Sequence, residues 1–273
     1  MQDSETLRPG RAKTRSATTI KAAVGKFVAF IAWALSLTLA LCMPTWAEEL
    51  IVFGDDNYAP VIYVQAGKPA GALVDLLRKV SERTGDTYIV QLFPWKRALE
   101  TAREGRGALI GVSLNAERAT VFDFSDPVYN DDIQIVTRKG HEFAFEQLSD
   151  LKGKVLGGVL GASYGEQVDA AIRDGVFKVD RDVSQVNRLN KLLAGRMDAA
   201  LIGNGIEGFE SVLQADPQLA AKRGQFSILA KPLTRDPLYL AIPKSMGKKP
   251  VLDRFNKAVR ELQKSGALRR VTP

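Results

Sequence analysis

The sequence contains very little cysteine and histidine, with Cys42 and His141 as the single examples among 273 residues. One cysteine cannot close a disulfide within the chain. Protein zinc sites draw most of their ligands from cysteine and histidine, so none is expected. No Walker A or G-x-G-x-x-G loop opens a helix after a strand, which argues against a nucleotide cofactor. We therefore predict a chain without metal or cofactor, held together by its core alone.

A histidine suited to serine catalysis is also missing. Residues 161–165 read Gly-Ala-Ser-Tyr-Gly and fit the G-x-S-x-G pattern of a nucleophile elbow. In that fold the histidine base follows the serine, whereas His141 precedes Ser163 and lies in a charged, solvent-exposed stretch. The sequence thus predicts no catalytic residues of this type.

One long apolar run, residues 27–42, follows the basic segment 1–26. The run is shorter than the roughly 20 residues that span a bilayer. Thr45 and Ala47 are small residues at the positions before a cleavage site. These features predict a signal peptide over 1–47, cleaved after Ala47, and a periplasmic location, with an uncleaved anchor as the alternative.

The excess of positive charge is small once that segment is removed. The whole chain carries +7, but residues 1–47 hold six basic and two acidic residues, leaving about +3. The remaining charges are interspersed, as on an ordinary solvated surface. No nucleic-acid partner is expected from so weak a bias.

Short β-type runs alternate with amphipathic helices in residues 48–273. Residues 50–53 are predicted to form a buried strand, and apolar residues at helical spacing from Ala72 predict a helix that Gly85 ends. A strand is predicted again over 108–112. This alternation is typical of an α/β fold.

A similar unit occurs twice. Residues 105–111 (Gly-Arg-Gly-Ala-Leu-Ile-Gly) and 195–203 (Gly-Arg-Met-Asp-Ala-Ala-Leu-Ile-Gly) each follow a predicted helix, which indicates two lobes built on one plan. The extended runs 132–137 and 237–242 are predicted to cross between the lobes. The resulting division is lobe 1 at 48–137 plus 233–273 and lobe 2 at 138–232.

An ordered set of motifs resembles the family 3 extracellular solute-binding proteins, the polar amino-acid receptors of ABC transporters. The motifs lie at 55–60, 71–76, 94–99, 113–118, 122–129, 151–155, 157–163 and 195–202. The resemblance implies a periplasmic-binding-protein type II fold, with two α/β lobes joined by a two-strand hinge. It also implies a monomer that closes on a small anionic or zwitterionic ligand and meets the membrane subunits of an ABC transporter.

The resemblance further implies roles for individual residues. Arg118 would bind the α-carboxylate of the ligand through two N–H groups. Ser113 on the same loop and Ser163 at a helix start in lobe 2 would add hydrogen bonds to it. Tyr58 and Trp95 would wall the side-chain pocket, with packing in the core as the alternative for each. Asp55 would lie near the pocket rim.

One position departs from the family pattern. Gly203 stands where these receptors usually carry the carboxylate that holds the ligand's ammonium group. Asn204 could accept one hydrogen bond there, but it restores no ion pair. The predicted ligand is a small carboxylate, an amino acid or a related organic acid. Because a buried ammonium without a counter-charge is costly, a modified amino acid or an organic acid without an amine is favoured over an ordinary L-amino acid, and whether the ligand carries an ammonium group stays open.

Two other functions remain open at this stage. Some relatives on this fold are periplasmic dehydratases of the cyclohexadienyl dehydratase kind, in which Glu207 or Asp55 could serve as the acid. The other is a sensor that presents its ligand to a membrane partner. A binding protein without enzymatic activity is the expectation.

Overall fold

The computed structural model describes residues 47–268. These residues belong to one compact unit. The predicted signal peptide, except for Ala47, lies outside the described residues. Within the described part of the chain, no helix is long and apolar enough to cross a membrane.

Strands and helices alternate through most of the described chain, as the sequence predicts. The strands are β1 (Glu49–Asp55), β2 (Asn57–Tyr58), β3 (Ile62–Gln65), β4 (Lys68–Ala70), β5 (Thr87–Phe93), β6 (Ala108–Ser113), β7 (Phe122–Phe124), β8 (Tyr129–Arg138), β9 (Val155–Val159), β10 (Lys178–Asp182), β11 (Ala199–Ile202), β12 (Phe226–Ile228) and β13 (Thr234–Pro243). The α-helices are α1 (Ala72–Thr84), α2 (Trp95–Arg103), α3 (Ala116–Val121), α4 (Glu166–Arg173), α5 (Gln185–Leu193), α6 (Gly205–Ala215), α7 (Pro217–Ala220) and α8 (Lys249–Lys264).

Local sequence explains the helix limits. The buried residues of α1 are Leu73, Leu76, Leu77 and Val80, which share one face. Gly85 ends the helix in the left-handed conformation, with φ 80°. The side chain of Ser184 caps α5 by accepting a hydrogen bond from the backbone N–H of Asn187.

The main sheet has the strand order β10-β9-β11-β8-β13-β6-β1-β5, while β2, β3 and β4 form a small separate sheet. Strand β1 pairs in parallel with β5 and β6, and β9 pairs in parallel with β10 and β11. Each parallel set has its own buried apolar clusters, one around Leu50 and Phe53 and the other around Leu156 and Phe209. The molecule therefore has two halves, each a sheet with its own core.

The long strands β8 and β13 join these halves. Strand β8 pairs with β13 through residues 129–133 and with β11 through residues 134–136, so it runs from one half into the other. Strand β13 pairs with β8 through residues 234–238 and then with β6 and β7. The lobe limits proposed from the sequence fall at the last residue of β8 and just before β13.

Candidate functional site

A pocket lies between the two halves, where the carboxyl ends of the parallel strands meet. Asp55 ends β1, Ser113 ends β6, and Gly203 directly follows β11. Open α/β sheets commonly bind ligands at such strand ends. The pocket is lined by Asp55, Asn57, Tyr58, Ile62, Trp95, Ile110, Gly111, Ser113, Asp131, Ile133, Val159, Ala162, Ser163, Tyr164, Val183, Gln185, Arg188, Leu201, Gly203, Asp236 and Leu238.

Hydrogen bonds cross the pocket and hold the halves together in a closed arrangement. The Gln185 side chain donates to the Asn57 carbonyl at 3.0 Å. The Ser113 hydroxyl donates to the carbonyl of Ser163 at 3.3 Å. Each bond joins a residue of one sheet's half to a residue of the other, so the structure corresponds to the closed state of the cleft.

Three carboxyl groups in the pocket have raised pKa values. Burial is the main cause at each, raising the pKa of Asp55 to about 6, of Asp131 to about 6 and of Asp236 to about 7. The nearby negative charge of Asp131 raises the pKa of Asp236 further, against a hydrogen bond from Ser113 and the positive charge of Arg118 that lower it. The pocket therefore holds carboxylates that are costly to ionise.

Two of these carboxylates lie side by side. Asp131 on β8 and Asp236 on β13 are direct partners in the antiparallel register, and their residues are 5% and 4% exposed. Directly opposed like charges destabilise an antiparallel pair. We call Asp131 and Asp236 the hinge carboxylate pair, since both lie on strands that join the halves.

Gly203 is adjacent to this pair and has no room for a side chain. A Cβ atom at position 203 would lie 2.4 Å from the Tyr58 Oη and 2.9 Å from each carboxylate oxygen of Asp131. Asp131 also accepts a hydrogen bond from the backbone N–H of Asn204 at 2.5 Å. The neighbouring Tyr58 hydroxyl lowers the pKa of Asp131.

Residues 50–272 match the family of bacterial extracellular solute-binding proteins, family 3. The chain belongs to this family. The resemblance inferred from the sequence motifs is thereby confirmed.

Two relatives of this solute-binding protein are named for amino-acid ligands. The L-cystine-binding protein TcyJ of Escherichia coli is 26% identical over 251 residues, which cover 86% of this chain and 89% of TcyJ. The arginine-binding extracellular protein ArtP of Bacillus subtilis is 25% identical over 227 residues, covering 82% of this chain and 84% of ArtP. Both names describe binding proteins.

Solved structures confirm the predicted periplasmic-binding-protein type II fold. An ancestral arginine-binding protein bound to arginine has a TM-score of 0.65 at 25% identity, covering 80% of this chain and 93% of that one. A histidine kinase sensor domain with similarity to periplasmic binding proteins has a TM-score of 0.68 at 24% identity, covering 80% of this chain and 92% of that one. The likeness to the sensor domain shows the fold alone.

Five of the residues suggested by the sequence meet in the pocket of this solute-binding protein. They are Asp55, Tyr58, Trp95, Ser113 and Ser163. The hydroxyl of Ser163 donates to the Asp169 carboxylate at 2.5 Å. These five residues come from both halves and are far apart in the chain, so they meet only because the halves are closed on each other.

Arg118 lies behind the pocket wall and is not among the lining residues. Its guanidinium donates to the carbonyls of Ser113 at 2.9 Å and of Gly161 at 3.0 Å, one from each half. Its Cζ atom lies 5.8 Å from the centre of the Trp95 ring. Burial lowers the pKa of Arg118 to about 10, against the raising effect of Asp169 and Asp236.

The Asn204 side chain is also outside the pocket. Asn204 precedes α6 in the left-handed conformation, with φ 60°. Its Oδ1 accepts a hydrogen bond from the Tyr129 hydroxyl. Only its backbone N–H reaches a pocket residue, Asp131.

The sequence reasoning missed six polar residues of the pocket: Asn57, Asp131, Tyr164, Gln185, Arg188 and Asp236. Arg188 is 1% exposed and binds the Leu201 carbonyl and the Asp182 carboxylate, each at 2.8 Å. The sequence pattern could have indicated Asp131 and Asp236, because each lies directly before one of the runs that were predicted to cross between the lobes.

Proposed function

We propose that this protein is the periplasmic receptor of an ABC-type transporter and binds an amino-acid-like ligand by closure of its two halves. The observation that carries the proposal is the closed pocket at the strand ends, bridged by hydrogen bonds and lined by polar residues from both halves. Two relatives named for cystine and arginine binding support this ligand class.

The carboxylate of the ligand would bind near Ser113 and Ser163. Both serines line the pocket, one from each half. Arg118 sits directly behind Ser113 and supplies a buried positive charge to this end of the pocket. In a pocket with little water, a guanidinium stabilises a nearby carboxylate strongly.

The rest of the ligand would lie between Tyr58, Trp95 and Asp55. Trp95 is 8% exposed and offers an apolar ring at the start of α2. Contacts from both halves favour the closed state over the open one, so binding shifts the population towards closure.

We further propose that binding is the only activity of the pocket. The related binding proteins support this assignment. A dehydratase would instead need a catalytic acid in the pocket, and the two candidates for that acid are Asp55 and Glu207. Glu207 lies on the first turn of α6 and is absent from the pocket lining, so of these two acids Asp55 is the one that lines the pocket.

The test is a ligand screen on the chain without residues 1–46, after unfolding and refolding to remove any bound molecule. A melting-temperature scan against amino acids, organic acids and polyamines finds ligands, because binding to the native state raises stability by mass action. Recovery of the ligand unchanged and in one-to-one ratio by mass spectrometry supports a receptor. A chemically altered ligand would support the dehydratase, and no stabilisation by any amino acid would contradict the proposal.

A further inference from the structure

The hinge carboxylate pair is a negative site with no assigned partner. Asp131 and Asp236 face each other across β8 and β13, both on the pocket lining. Within residues 47–268, neither carboxylate forms an ion pair with a lysine, arginine or histidine. An uncompensated buried charge is strongly destabilising, so such a pair calls for a cation from elsewhere.

The groups around Asp131 supply no positive charge. The Asn204 backbone N–H donates to its carboxylate and the Tyr58 hydroxyl lies beside it; both groups are neutral, and the neighbouring charges of Asp132 and Asp236 are negative. The neighbouring Ser113 hydroxyl and the positive charge of Arg118 favour the ionised form of Asp236, while Asp131 and Asp169 oppose its ionisation. Neutral donors can hold a carboxylate in place, but they do not cancel its charge.

A metal ion does not fit the pair. Among the described residues, no group of three or more acidic, histidine or cysteine side chains could hold a metal ion. Asp55, the third carboxyl in the pocket, lies near the positive charge of Arg188. An organic cation with several N–H donors, such as an ammonium group, suits two carboxylates with free lone pairs.

We propose that the hinge carboxylate pair, Asp131 with Asp236, binds an ammonium group of the ligand. This deepens the proposed function, on which it rests. Gly203 has no side chain, and the Tyr58 hydroxyl and the Asp131 carboxylate lie where its Cβ atom would be crowded. The Asp131 carboxylate, from β8, therefore occupies the space that a side chain at position 203 would fill. The ligand is then an amino acid or another ammonium-bearing carboxylate.

The experiment compares each amino acid that the refolded protein binds with its des-amino acid, the same molecule with hydrogen in place of the ammonium group. The probes are the proteinogenic L-amino acids and L-cystine, and affinities are measured by calorimetry at pH 8. Removing one partner of a buried charge pair commonly lowers affinity by about thirtyfold or more. We therefore expect the amino acid to bind at least about tenfold more tightly than its des-amino acid.

The variants are Asp131→Asn and Asp236→Asn, with Asp132→Asn as the matched control. Asp132 is the next residue on β8 and pairs with Arg235 at an exposed site. Each hinge variant should weaken amino-acid binding at least about tenfold but change des-amino binding less than about threefold, and the control should bind like the wild type. Each hinge variant should also melt no lower than the wild type when ligand-free, because asparagine removes the repulsion, and at position 131 its side-chain oxygen still accepts from the Asn204 backbone N–H.

Three results would overturn the inference. They are hinge variants that bind the amino acid within tenfold of the wild type, a des-amino acid that binds as tightly as the amino acid, and a control variant that loses binding equally. Failure of the wild type to bind any amino acid is different, because it would contradict the proposed function and the inference together.

Discussion

At the level of single residues, Gly203 is a pocket position where a Cβ atom would meet its neighbours at less than 3 Å. We expect Gly203→Ala to destabilise the ligand-free protein by about 1–3 kcal/mol, because its methyl group would overlap Tyr58 and Asp131. Urea unfolding measures the change. Gly224→Ala is the control, since a Cβ atom there meets nothing within 4 Å. Equal stability of the two variants would show that the pocket can expand around residue 203.

Arg118 tests the carboxylate end of the pocket. We expect Arg118→Ala to weaken ligand binding by about 2 kcal/mol or more, because a buried positive charge is lost and the carbonyls of Ser113 and Gly161 lose their donor. Arg118→Lys should lose less, since it keeps the charge but not the fork of N–H groups. Calorimetry with the ligand found by the screen measures both variants. Undiminished affinity in Arg118→Ala would remove this residue from the site.

Some pocket residues could be predicted from sequence motifs, whereas others are identified only by the three-dimensional structure. Ser113, Ser163 and Tyr58 lie in recognisable motifs, so the resemblance pointed to them. Asp131 and Asp236 lie in no motif, and their roles follow from the pairing register of two strands more than 100 residues apart in the chain. Register of this kind is set by tertiary structure, which a single sequence does not display.

At the level of elements, β8 and β13 are expected to make stability depend on pH. The pKa values of Asp131 and Asp236 are raised in the folded state to about 6 and about 7, so the folded chain binds more protons than the unfolded chain between about pH 4 and 7. Stability of the ligand-free protein should then fall as the pH rises through this window. A pKa higher by one in the folded state corresponds to about 1.4 kcal/mol, so a loss of at least about 1 kcal/mol from pH 5 to pH 8 is expected.

Urea unfolding at these two pH values checks the prediction, and Asp236→Asn should flatten the dependence. The exposed acids whose pKa values are lowered, including Glu117 and Glu166, act below this window and do not mask it. A wild-type protein that is equally stable at pH 5 and pH 8 would show that these carboxylates are well solvated without ligand.

Apolar periodicity predicted the elements that are buried on one face. Helix α1 and strand β11 follow their apolar residues closely, and the crossing runs were found within a few residues of their ends. Strand β10, Lys-Val-Asp-Arg-Asp, has little apolar character because it is a half-exposed edge of the sheet. Helix α6 contains two glycines, which disfavour helix, and it is held by packing of Phe209, Val212 and Leu213.

At the level of the whole molecule, the closed arrangement should depend on ligand. Several hydrogen bonds join the halves, but the buried carboxylates without a cation oppose closure. We expect small-angle X-ray scattering to give a larger radius of gyration without ligand than with the amino acid found by the screen. An unchanged radius would contradict closure on binding.

With the hinge carboxylate pair as the ammonium site, different parts of the chain would bind the constant and the variable part of the ligand. The strands β8 and β13 would hold the ammonium group common to many amino acids, while Tyr58, Trp95 and Asp55, which also line the pocket, would contact the part of the ligand that differs. Substitutions on the walls of one half could then change which amino acid is preferred without disturbing the grip on its invariant end. Divergence of ligand preference within such a lineage would need changes in one half only.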